Sequence, residues 1–133
     1  MSTKLSFIAG FASAFLGAAV IAQPIPAFAH EEASGPNGGQ VADVQGHHVE
    51  FTTKENEIVL FLSDEAGKPI ASGGASGRAV ILAGDKQVTA ELAPASPNIL
   101  SARLSSPLVS GAKIVVSAKL SDGHTLQARF VAK

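Results

Sequence analysis

GAKIVVSAKLSDGHTLQARF, residues 111–130, decides the fold class. Ile114, Val116, Ala118 and Leu120 alternate with Lys113, Val115, Ser117 and Lys119. Past an Asp-Gly pair, Leu126, Ala128 and Phe130 alternate with Thr125, Gln127 and Arg129. Alternation with period two sends each apolar set to one face of a β-strand and each polar set to the other. Asp122-Gly123 between the runs predicts a hairpin, with the positive φ angles of a type I′ turn. Two antiparallel strands, 113–120 and 125–131, follow from these residues alone.

Upstream, the same signature recurs. Runs rich in β-branched residues at 41–44, 48–53, 57–63, 78–83, 87–92 and 99–104 are separated by Gln45-Gly46, Glu55-Asn56, residues 65–68, Gly84-Asp85 and residues 94–97. In the second run Val49, Phe51 and Thr53 oppose His48, Glu50 and Thr52, and in the fifth Val88, Ala90 and Leu92 oppose Gln87, Thr89 and Glu91. Residues 57–62 are apolar on both faces and predict a central strand. Residues 69–77, PIASGGASG, are too glycine-rich for a regular strand and read as a crossing loop or bulged edge. No run keeps a 3.6-residue period. Seven or eight strands in about 100 residues predict an all-β fold, an immunoglobulin-like β-sandwich over 41–133.

The first 29 residues belong to a different regime. Lys4 is the only charge before Glu31, residues 5–22 form an apolar, small-residue run, and Pro24 and Pro26 precede Ala27-Phe28-Ala29. A positive start, an apolar middle and an A-x-A end predict a secretory signal peptide over 1–29, with His30 as the mature N-terminus. Cleavage after Ala22 is the alternative. Residues 30–40, HEEASGPNGGQ, then read as a flexible polar lead-in to the first strand.

Composition narrows the chemistry. A chain of 133 residues allows one ordinary domain. With no cysteine it has no disulfide, thiolate site or catalytic thiol. A net charge of −1 with no Trp or Tyr lacks the basic patch and stacking aromatics of a nucleic-acid binder. No G-x-S-x-G elbow and no phosphate-binding loop is present, and Gly35-Pro36-Asn37-Gly38-Gly39 is followed by neither a Lys nor a helix start. The acidic pairs Glu31-Glu32 and Asp64-Glu65 fall in loops, without the aromatic platforms that a glycosidase uses. An enzyme is not expected.

Histidine is the remaining signal. His48 and Glu50 share a strand face about 6.6 Å apart, a spacing from which both can reach one cation. A third ligand would come from His47, a neighbouring strand or the His30 tail. His30 offers a second arrangement, because a free α-amine and an imidazole on one residue can chelate a divalent metal. Asp122 and His124 beside the last turn would complete it. Against both stands the plain alternative of a polar, solvated strand face and a conformational Asp-Gly turn. If the first arrangement holds, His48 matters more than His124.

His30, Asp122 and His124 together resemble the ligand set of small periplasmic copper-resistance sandwiches, which bind Cu(II) through an N-terminal His and an Asp-x-His near the last strand. A broader likeness covers most of the chain past the leader. HEEASGPNGGQVADVQGHHVEF, EIVLFLSDEAGKPI and GAKIVVSAKLSDGHTLQARF resemble the small periplasmic domain found alone or at the N-terminus of heavy-metal efflux adaptors of RND-type export systems. The shared features are Gly-Pro-x-Gly-Gly, the His-x-Glu strand, Asp64, Gly67, Lys68 and Pro69 in one turn, and the late Asp-Gly. That resemblance implies a β-sandwich in a metal-handling context. Lacking the helical hairpin and lipoyl parts, the chain is not expected to be an adaptor itself, and it carries no long His-rich tract.

These features predict an exported periplasmic protein that binds or passes a divalent heavy-metal cation in homeostasis or efflux, with a periplasmic efflux component as partner. Past the leader there is neither Met nor Cys, so Cu(II), Zn(II), Ni(II) and Co(II) suit the available donors better than Cu(I). The alternative is a structural or interaction module that docks on a cell-envelope protein and binds no metal. Intact mass of the exported protein checks the processing site. It should correspond to a start at His30, and a start at Gln23 would make His30 internal and remove its free amine.

Overall fold

A computed structural model describes residues 34–133; the leader, His30 and residues 31–33 lie outside the described residues. Eight strands follow in order: β1 (Gln40–Val44), β2 (His47–Lys54), β3 (Glu57–Asp64), β4 (Ser76–Ala83), β5 (Lys86–Ala95), β6 (Ile99–Arg103), β7 (Lys113–Lys119) and β8 (Thr125–Val131). Every pairing is antiparallel, in the spatial order β1-β2-β3-β6-β5-β4-β7-β8. The all-β class and the strand count agree with the alternation in the sequence. No helix occurs among the described residues.

All eight strands belong to one continuous sheet. β5 pairs with β4 through residues 86–92 and with β6 through residues 93–95, so one long strand passes from one half of the sheet to the other. For this reason β5 runs on through Pro94, where the sequence predicts a turn. Ser72, buried in the crossing loop, fixes this corner by donating its hydroxyl to the Ala95 carbonyl at 2.7 Å, while its N–H donates to the Pro97 carbonyl.

Local turn chemistry sets the register. Val44 pairs with His47 across Gln45-Gly46, whose φ angles of 50° and 79° are those of a type I′ turn. The β7–β8 connection differs from the turn predicted for Asp122-Gly123. Only Gly123 has a positive φ, 93°, and the Gly123 N–H donates to the Leu120 carbonyl while the Leu120 N–H donates to that of His124. This is a type I turn closed by a glycine bulge. The extra residue removes any need for Asp122 to enter the left-handed region, which non-glycine residues avoid.

The inward faces carry the core. Val49 and Phe51 on β2, Ile58, Leu60 and Leu62 on β3, and Leu100 on β6 meet Ile114 and Val116 on β7 and Leu126 and Phe130 on β8. β3 lies inside the sheet, as its two apolar faces predict. The Phe51 and Phe130 rings stack with centroids 4.9 Å apart and join strands that do not pair with each other.

The sheet nearly closes on itself, with β1 lying beside β8. Here the Gln40 carboxamide imitates a strand residue: its Nε2 donates to the Val131 carbonyl and its Oε1 accepts from the Val131 N–H. Truncating the stacked ring should therefore weaken the whole domain. Phe130→Ala is expected to cost about 3–5 kcal/mol. Urea unfolding would show this as a lowered midpoint, whereas exposed Gln127→Ala on the same strand should stay within about 0.5 kcal/mol of wild type.

Candidate metal centre

β2 distributes the candidate residues over two surroundings. Its outward set begins with His48 and Glu50, yet Glu50 is only 4% exposed. The segment ahead of β1 covers it. Glu50 Oε1 accepts from the backbone N–H groups of Asn37 at 2.8 Å and Gly39 at 2.9 Å, and Oε2 accepts from the Asn37 side-chain amide at 2.9 Å. The Gly35-to-Gly39 stretch, predicted to be a loose lead-in, is thus a turn wrapped around a carboxylate. The Gly38 N–H donates to the Gly35 carbonyl, and the Gly35 N–H to that of Gly39.

Glycine is needed here for close approach. A Cβ on Gly35 would sit 2.3 Å from the Glu50 carboxyl carbon, and one on Gly39 would sit 2.3 Å from the Phe51 carbonyl oxygen. A buried carboxylate is tolerable only when its lone pairs are used, and three donors use them. His48 turns instead to Asp43, its cross-strand partner on β1, with Nε2 3.2 Å from Asp43 Oδ1. His48 and Glu50 therefore share a face, as alternation predicts, while each is engaged by a different neighbour.

A second cluster forms at the rim where β1 meets β8. The tight Gln45-Gly46 turn delivers His47 at the start of β2, and the β7–β8 turn delivers Asp122 and His124. One ligand atom from each of the three lies within 4.8 Å of the others. The His47 and His124 rings are tilted, with centroids 5.5 Å apart. His47 Nδ1 is 3.0 Å from the Gln45 carbonyl oxygen. Asp122 takes both of its oxygens to His124: Oδ1 accepts the backbone N–H at 2.9 Å and Oδ2 lies 2.8 Å from Nδ1. The His124 backbone N–H holds the Asp122 carboxyl below the ordinary aspartate range, aided by the hydrogen bond from the His124 ring. The centre is open to solvent, with the His124 and Asp122 side chains 59% and 52% exposed.

Of the residues singled out in the sequence, the structure brings together His47, Asp122 and His124. It leaves His48 and Glu50 outside this cluster, and His30 lies outside the described residues. His47 thus joins Asp122 and His124 rather than His48 and Glu50. Comparison with family profiles, with curated proteins and with solved structures finds no match to this chain.

Asn37 and Gly39, which hold Glu50, were not recognisable as its partners. Their only trace in the sequence is a Gly-Pro-Asn-Gly-Gly turn shortly before a strand that carries a glutamate. Removing the carboxylate should expose their function. Glu50→Ala leaves three N–H groups without their acceptor and is expected to cost at least about 1.5–3 kcal/mol, the range for a hydrogen bond to a charged group. Chemical denaturation measures this, and exposed Thr53→Ala on the same strand serves as the neutral control.

Proposed function

We propose that this chain is an exported periplasmic protein that binds or passes a divalent heavy-metal cation through the centre formed by His47, His124 and Asp122. The observation that carries the reading is the convergence of two imidazoles and a carboxylate, from opposite ends of the domain sequence, within 4.8 Å. Imidazole is a donor for Cu(II), Zn(II), Ni(II) and Co(II), whereas Cu(I) prefers the thiolates and thioethers that residues 30–133 lack. Export is supported by the charged start, apolar run and A-x-A end of residues 1–29. The resemblance of the later segments to heavy-metal efflux domains supports a role beside such a system, with a periplasmic efflux component as partner.

Solvent exposure suits exchange. A structural metal site is closed by protein ligands, whereas a site that loads and unloads keeps open positions. Protons compete with the cation, because imidazole must be neutral to coordinate, so acidification should release it.

Calorimetric titration of the exported protein with Zn(II) or Cu(II) tests the reading. Saturable binding at one cation per chain is expected. His47→Ala and His124→Ala should each weaken it at least tenfold, since even losses outside the coordination sphere cost about 10–100-fold. His48→Ala should leave it unchanged, which reverses the ranking predicted for a His48–Glu50 site. Wild-type binding in all of these variants would overturn the rim site, and no binding in the parent would favour the interaction module instead.

A further inference from the structure

We infer that the cation is held by Nε2 of His47 and Nε2 of His124, and that Asp122 is not a ligand but a positioning residue that fixes the His124 ring. The inference rests on the metal-binding reading above and assigns the roles within that site.

The hydrogen-bond partners dictate the assignment. A carbonyl oxygen only accepts, so the 3.0 Å contact between His47 Nδ1 and the Gln45 carbonyl requires the proton on Nδ1. The free lone pair of that ring is then on Nε2. An ionised carboxylate also only accepts, and Asp122 Oδ2 lies 2.8 Å from His124 Nδ1, so this ring too carries its proton on Nδ1 and presents Nε2. In a neutral imidazole the hydrogen bond made by one nitrogen determines which nitrogen is left to bind metal. Both rings at the rim are set the same way, each by an acceptor at Nδ1.

Asp122 is committed by its local geometry. Oδ1 accepts the His124 backbone N–H at 2.9 Å while Oδ2 accepts from the ring of the same residue, so both oxygens serve one neighbour across the glycine bulge. Turning Oδ2 towards a cation would leave the His124 ring without its orienting partner. A carboxylate behind a ligating histidine fixes tautomer and orientation and raises the basicity of the ligating nitrogen. With two protein nitrogens supplied from a solvent-exposed rim, the remaining positions fall to water or to a donor from the molecule that delivers or receives the cation.

His48 supplies an internal contrast. Its contact to Asp43 is made through Nε2, at 3.2 Å, so its proton belongs on Nε2 and its tautomer is opposite to that of the two rim histidines.

Two-bond proton–nitrogen correlation spectra of the metal-free, 15N-labelled exported protein near neutral pH test the inference, followed by titration with Zn(II). His47 and His124 should show the Nδ1–H form and His48 the Nε2–H form. Zn(II) should shift the Nε2 resonances of His47 and His124 while their Nδ1–H signals persist. Asp122→Ala should move His124 away from the Nδ1–H form, leave His47 in it, and weaken Zn(II) about 10–100-fold. Direct Nδ1 ligation, an Nε2–H form at His124, or an Asp122→Ala variant with unchanged His124 tautomer would overturn the inference while Zn(II) binding itself stands. Absence of any Zn(II) shift would overturn the function proposed above and the ligand assignment with it, whatever the tautomers.

Discussion

The approach of β1 to β8 is the constraint on which the rest of the molecule depends. An open sheet leaves a row of unpaired N–H and C=O groups on each outer strand, and closure removes that exposure. Here a side chain does part of the closing. Gln40 offers one donor and one acceptor to Val131, as a strand residue would, and the Phe51–Phe130 stack backs the junction from inside the core. The consequence for function is direct, because the β1–β2 and β7–β8 turns come to one rim only when the first and last strands are neighbours.

At that rim the chemistry is shaped by what each turn permits. Gln45-Gly46 is a two-residue turn, so His47 begins β2 beside the sheet edge and is half-buried. The β7–β8 connection carries one residue more, and its bulge at Gly123 lets Asp122 reach both the backbone and the ring of His124. Rigid strands thus hold two short turns face to face, with His124 and Asp122 exposed to water. Under the proposed function, such a centre would cost little to desolvate on taking up a hydrated cation.

Glu50 shows the opposite use of a polar group. It lies on the outer face of the sheet, where alternation puts polar residues, but the turn at residues 35–39 folds over it and saturates its oxygens. Its effect is to fasten the chain ahead of β1 to β2, and β1 is the strand that must meet β8. Two features that look unrelated in the sequence, a glycine-rich turn and a His-x-Glu strand, are one device in the fold.

The sequence by itself determined the strands, most of the turns and the inward face of each strand, because period-two patterning and turn residues act over a few neighbouring positions. It also named His47, Asp122 and His124 as chemically competent, since donor chemistry belongs to the side chain alone. It paired Asp122 with His124, as the structure does, but offered His47 to His48 and Glu50, because proximity along one strand is all that spacing reports. Three things were decided only in tertiary structure: that β5 bridges both halves through Pro94, that Glu50 is buried under Asn37, and that His47 faces His124. Each depends on contacts between segments far apart in the chain. Such contacts are fixed by how the whole sheet coils and closes, and no local pattern records that.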